Sequence, residues 1–183
     1  QIYWIKSYQS QRNQTHLMPE SNKNLIEIND LHIGFQEGKE LKEIIHGLSL
    51  QIKQGECLGL VGESGSGKSL SSLSVLGLLS KSARIVSGSI KYYGNDEAIE
   101  IVGAREKLLQ SIRGKEIAMI FQEPMSSLNP VIKCGEQVAE ALRLHKKLSK
   151  SEAEAETIAW FNEVKLPRAE SIYNSYPHQL SGG

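Results

Sequence analysis

Apolar and polar residues alternate through LIEINDLHIGF (25–35), and this period of two predicts a β-strand. EGKE (37–40) turns the chain, and a second strand is expected over EIIHGLSLQIK (43–53), with the glycine of KQGE at the next turn. CLGLVG (57–62) breaks the alternation. A short continuous apolar run predicts a strand buried on both faces, as in a parallel sheet covered by helices. KSLSSLSVLGLLS (68–80) then spaces its apolar residues as a helix does. Strand character returns in RIVSGSIKYYG (84–94). AREKLLQSIRG (104–114) reads as a short helix ended by Gly114, and EIAMIFQ (116–122) as a second buried strand. CGEQVAEALRLHKKL (134–148) is helical. Ser149 and Glu152 form the S-x-x-E pattern of a capping box that opens a further helix over SEAEAETIAWFNEV (151–164). Pro167 and Pro177 punctuate the tail. The order is β-rich, then β-loop-α-β, then helical, with no internal repeat.

Length and composition narrow the class. A chain of 183 residues suits one domain with room for a subdomain, and 39% hydrophobic with 23% charged residues is ordinary for a soluble globular protein. Lys plus Arg equals Asp plus Glu at 21 each, so charge gives no reason to expect nucleic acid or an anionic membrane surface as partner. Cys57 and Cys134 lie far apart without C-x-x-C spacing and read as free thiols in a reducing cytosol. The longest membrane candidate, LSVLGLL (73–79), is far short of the ~18 apolar residues a spanning helix needs. Work at a membrane would therefore go through another protein. Residues 1–17 are rich in Gln, Ser and Asn and lack the layout of a signal peptide. Met18 is the expected natural start, and 1–24 are read as a disordered or upstream extension.

Candidate chemistry sits first at GESGSGKS (62–69), which fits G-x-x-x-x-G-K-[ST] between an expected strand and an expected helix. Gly62, Gly65 and Gly67 let the backbone curl so that the N–H groups of Glu63, Ser64, Ser66 and their neighbours point inward at phosphate oxygens. The helix starting near Gly67 adds the partial positive charge of its N-terminus. Lys68 would reach the β- and γ-phosphates, and the Ser69 hydroxyl would ligate Mg²⁺. A dinucleotide fingerprint does not fit. The third glycine position of GSGKSL (65–70) is Leu70, and position 88 is glycine where an acidic residue is needed. The loop implies ATP or another nucleoside triphosphate with Mg²⁺; it does not by itself separate a kinase, a GTPase, a helicase or a transporter ATPase.

Two further stretches narrow the choice. In IAMIFQEPMSSLNP (117–130) an expected strand ends in Gln122 at a Pro-bounded loop. A polar residue there faces the ligand crevice, where it sits beside Mg²⁺ or the attacking water, or else serves as a turn glutamine. Glu123 is a rival acid, although no Asp precedes it. The chain then ends on YPHQLSGG (176–183). Together GESGSGKS, FQEP and LSGG resemble the Walker A, Q-loop and signature motifs of the nucleotide-binding domain of ABC transporters, over about Leu25 to Gly183. LGLVGESGSGKS with FQEPMSSLNP looks most like the ATPase subunits of oligopeptide, dipeptide and nickel importers.

That resemblance implies an α/β fold. It would be a P-loop NTPase with a RecA-like core, an antiparallel β subdomain and an α-helical subdomain at about 125–180. It implies that Phe35 stacks on adenine, although the residue reads equally as ordinary core. Lys68 and Gln122 would be the catalytic pair. Ser181, Gly182 and Gly183 would contact the γ-phosphate held by a second ATPase subunit, in a homo- or heterodimer. The expected partners are transmembrane permease subunits and, indirectly, a substrate-binding protein. The expected place is the cytoplasmic face of the inner membrane, peripherally. The function implied is an ATPase energising peptide or nickel import; the rivals are a soluble ABC ATPase of DNA repair or translation, and a P-loop kinase. In such a family a Walker B Asp-Glu and a switch histidine follow the signature. The 183 residues therefore read as an N-terminal fragment, truncated before Walker B, that binds ATP at best and hydrolyses it slowly if at all.

Overall fold

The computed structural model of the chain describes residues 4–6, 23–38, 40–95, 97–121 and 127–180. The chain divides into two compact units, Ile2–Ala118 and Met119–Gly183.

The first unit is built on a four-stranded antiparallel sheet. β1 (Trp4–Lys6) is a short strand that the sequence pattern does not signal. β2 (Asn24–Glu37) and β3 (Glu40–Lys53) form a long hairpin whose turn passes through Gly38 at φ 63°. β4 (Ala83–Asn95) pairs with the other edge of β2, and β5 (Glu97–Glu100) pairs with β4, giving the order β3-β2-β4-β5. The three long strands match the alternating stretches and extend them by one to three residues at each end where they differ. β5 is an addition that four residues of sequence were too short to reveal.

The hydrophobic pattern of β2 contains a phase change. Ile26 and Ile28 are buried, Asn29 and Asp30 are both exposed, and burial resumes at Leu31 and Ile33. A strand keeps one face inward across such a slip only by inserting a residue. The register against both neighbours shifts here, and Asp30 takes φ 45°. Gly88 on β4, at φ 96°, lies against this bulge. A Cβ on it would fall 2.4 Å from the Asp30 carbonyl oxygen, so only glycine fits. Ile26, Ile28, Leu31, Ile33, Ile45, Ile52, Ile90 and Tyr92 form the core of the sheet. Each such aliphatic side chain stabilises the fold by about 1.5–3 kcal/mol on full burial.

Two short helices complete the unit. α1 (Lys68–Val75) begins at the end of the Gly/Ser loop and stops sooner than its pattern predicts, because Gly77 adopts φ 62°. α2 (Glu106–Ile112) buries Leu109 and Ile112, and Gly114 follows it at φ 76°. The two expected buried strands are the main corrections. CLGLVG forms no strand: Leu58, Leu60 and Val61 are 38%, 43% and 90% exposed. A strand covered on both faces needs hydrogen-bonding neighbours, and among the described residues no strand pairs with this run. The strand expected over 116–122 is cut to β6 (Ile117–Met119), whose neighbour is β1, and Ile120 and Phe121 beyond it are 45% exposed.

The second unit is helical. α3 (Cys134–Lys146), α4 (Lys150–Glu163) and α5 (Ala169–Asn174) enclose Ala139, Leu142, Ala153, Phe161, Ala169 and Tyr173. The capping box is formed: the Ser149 N–H donates to Glu152 Oε2 at 2.9 Å, and Ser149 Oγ accepts from the Glu152 N–H. Gly135 lets α3 approach α5, since a Cβ on it would lie 2.0 Å from the Tyr173 ring. Pro177 opens a 3-10 turn over Pro177–Gln179. Cys57 is exposed, Cys134 is buried, and both are free. Among the described residues no helix is long and apolar enough to cross a membrane.

Candidate nucleotide-binding site

Residues 62–67 form one curled loop leading into α1, whose first two residues are Lys68 and Ser69. Gly65 at φ 83° and Gly67 at φ 89° supply the left-handed turns that L side chains avoid. The Ser66 N–H donates to the Glu63 carbonyl at 3.3 Å and closes the bend. A Cβ on Gly62 would sit 2.7 Å from Ser66 Oγ, and one on Gly67 would sit 2.9 Å from Ile45 Cγ1. The inside of the curl is thus bare backbone at both ends of the motif. Gly67 is the N-cap of α1 and carries no side chain to accept from the first-turn amides. No acidic residue lies in that turn either. Those amides and the helix dipole together favour an anion at this point.

Lys68 lies back across the loop. Its ammonium donates to the carbonyls of Gly62 at 2.7 Å and Glu63 at 2.6 Å, and to Ser66 Oγ at 3.3 Å. The positive charge therefore already sits in the concavity that a phosphate chain would fill. Ser64 and Ser69 are exposed. The next serines differ: Ser71, Ser72 and Ser74 are buried and turn their hydroxyls onto the helix carbonyls of Gly67, Lys68 and Ser71. Of the four, Ser69 alone is exposed. A bare amide cradle, one ammonium and one free-standing hydroxyl fit a polyphosphate with a bound Mg²⁺ ion.

Phe35 belongs to the same unit. It is half-buried on β2, where its backbone pairs with Lys42 on one side and Ala83 on the other. Gln122 and its rival Glu123 lie outside the described residues, as do Ser181, Gly182 and Gly183. The structure therefore brings together Gly62, Glu63, Ser64, Gly65, Ser66, Gly67, Lys68 and Ser69.

Two residues that shape this site were not singled out by sequence. Ile45 reads as an ordinary inward strand position, yet it is the side chain that excludes a Cβ from Gly67. Arg113 reads as the basic end of a short helix, yet its guanidinium bonds the carbonyls of Leu76 and Gly77 at the far end of α1. Neither carries a motif; only the approach of segments distant in sequence reveals them.

Comparison with known proteins bears on the same residues. The model of a family described as ABC transporter matches residues 45–183. The oligopeptide transport ATP-binding protein AppD of Bacillus subtilis is 45% identical over 87% of this chain and 48% of its own length. Glutathione import ATP-binding proteins GsiA are 38% identical in Pectobacterium atrosepticum and 39% in Escherichia coli. Each covers 91% of this chain, which spans 27% and 28% of their lengths. The chain thus spans between about a quarter and a half of the curated relatives it matches. Two solved structures share the fold. A dimeric post-hydrolysis state of the ATP-binding cassette MJ0796 bound to ADP and Pi matches with TM-score 0.68 at 21% identity. A dimeric structure of MJ0796, a bacterial ABC transporter cassette, matches with TM-score 0.69 at 22% identity. Each match covers 86% of this chain and 64% of that one.

Proposed function

Because the chain belongs to the ABC transporter family, we propose that it carries the ATP-binding cassette of an importer and energises uptake of small peptides by binding and hydrolysing ATP. The cassette occupies 25–183, with 1–24 outside it and a helical subdomain at about 125–180. The observation that carries this reading is the loop at 62–69, where left-handed glycines leave the backbone bare and Lys68 already fills the concavity. The oligopeptide and glutathione names of the relatives support peptides over nickel as the transported class.

The loop's chemistry follows from its atoms. The amides at 62–69 take the phosphate oxygens, and Lys68 exchanges the Gly62 and Glu63 carbonyls for the β- and γ-phosphates. Ser69 and Gln122 hold Mg²⁺, which supplies positive charge against the phosphate oxygens. Phe35 offers an aromatic face to the adenine. Ser181, Gly182 and Gly183 of a second ATPase subunit close over the γ-phosphate, so two nucleotides lie in the seam of a dimer. The dimer acts on transmembrane permease subunits from the cytoplasmic face of the inner membrane, peripherally, and a substrate-binding protein delivers the cargo to the pore.

The test is Lys68→Ala in the intact protein. Loss of a charge-assisted contact to phosphate predicts that the Kd for ATP rises by about 10- to 100-fold, read by titration of a fluorescent ATP analogue. An unchanged Kd refutes the nucleotide reading.

A further inference from the structure

The helix that starts at the phosphate loop is eight residues long. At 1.5 Å per residue its two ends are roughly 12 Å apart, so whatever fixes one end also fixes the other. The far end is closed in two layers. Gly77 takes the left-handed conformation; its N–H donates to Ser74 O at 3.0 Å, and the Leu78 N–H donates to Leu73 O at 2.9 Å. These are the two bonds of a Schellman motif. The next carbonyls are bound by Arg113 from more than thirty residues away. Its Nε donates to Leu76 O at 2.7 Å and its Nη2 to Gly77 O at 2.9 Å, while Nη1 donates to Glu106 at 2.6 Å.

The arrangement uses what distinguishes arginine. A rigid planar fork can hold two carbonyls along one edge and a carboxylate along the other. The cation also stands at the negative end of the α1 dipole. Glu106 in the first turn of α2 and Arg113 at its C-cap span the length of that helix, so the fork is braced against α2. Leu109 of α2 fills the space beside Gly77, where a Cβ would meet it at 2.8 Å. At the loop end, Ile45 performs the matching task against Gly67. α1 is therefore gripped at both ends by residues outside the motif.

We propose that Arg113 is a positioning residue for nucleotide binding: by holding the Leu76 and Gly77 carbonyls it sets where α1 presents Gly67, Lys68 and Ser69 to the phosphates. This rests on the reading of 62–69 as the phosphate cradle. Lysine at 113 keeps the charge but cannot hold both carbonyls and the carboxylate in one plane, so it restores the position only in part.

The experiment compares Arg113→Ala, Arg113→Lys and Lys68→Ala in the intact protein, each well below its melting temperature. ATP affinity and the phosphorus NMR spectrum of bound ATP are recorded. Arg113→Ala is expected to raise the Kd by about tenfold and Arg113→Lys by about threefold, the range of one charged hydrogen bond expressed at a distance. The β-phosphate resonance is expected to be displaced in the alanine variant and to return toward its original place in the lysine variant. If Arg113→Ala does not fold, a raised Kd and a displaced resonance in Arg113→Lys support the proposal, and their absence overturns it. A lowered melting temperature with unaltered Kd and resonance makes Arg113 a helix cap alone and overturns the proposal while Lys68→Ala still loses ATP. An unaltered Kd in Lys68→Ala overturns the cradle reading and this inference with it.

Discussion

Gly67→Ala is the substitution that addresses the loop most directly, because two independent features oppose a methyl group there. The backbone stands at φ 89° and ψ 0°, a conformation that disfavours an L side chain by about 1–2 kcal/mol. The added Cβ would also lie 2.9 Å from Ile45 Cγ1 and 3.3 Å from its Cδ1. Ile45 is 7% exposed and pairs with Ile33 inside the sheet, so it yields only by leaving its rotamer, at about 0.5–1.5 kcal/mol. Together these amount to about 1.5–3.5 kcal/mol, or roughly 10- to 300-fold in ATP affinity if the loop must keep its present shape to bind phosphate. The assay is the Kd for ATP in the intact protein, with urea unfolding alongside to separate a reshaped loop from an unfolded one. The clash is separable from the backbone cost: in an Ile45→Ala background, Gly67→Ala should cost only the φ component. An affinity within twofold of the parent, or the same penalty in both backgrounds, refutes the reasoning.

Two further outcomes follow from the sheet. Gly88→Ala places a Cβ 2.4 Å from the Asp30 carbonyl oxygen at φ 96°, so it should lower stability by at least the ~1–2 kcal/mol of the backbone term; urea midpoints measure it, and an unchanged midpoint contradicts the bulge. His32 is held above its ordinary value of 6.5, first by its hydrogen bond to Glu43 and then by Asp30 at 3.2 Å. Its folded pKa is raised, so its contribution is fully present below 6.5 and lost as pH rises through the folded value. The melting temperature should fall over that window, and His32→Gln should flatten the fall; a parallel fall in the variant assigns it to other groups.

The bulge and the missing strand show what kind of information the sequence holds. LIEINDLHIGF holds the bulge in its spacing, although a reading of simple alternation passes over it: from Ile26 the buried residues fall on even positions to Ile28 and on odd positions at Leu31 and Ile33, and a buried face admits both only if one residue is inserted between them. The capping box is as legible, because Ser149 and Glu152 need nothing beyond each other. The phosphate loop is legible for the same reason: Lys68 finds its partners Gly62, Glu63 and Ser66 at most six residues away. CLGLVG is different. Its composition states a demand for burial, and the demand is met only when neighbouring strands supply hydrogen bonds and helices supply cover, neither of which is encoded in those six residues. Among the described residues nothing pairs with them, and Val61 stays 90% exposed. Arg113 lies at the same limit, since its partners Leu76 O and Gly77 O are backbone atoms 37 and 36 residues away and offer no side-chain signature to read. Local interactions write themselves into spacing, whereas long-range ones leave only a requirement, and the residues that hold the two ends of α1 are of the second kind.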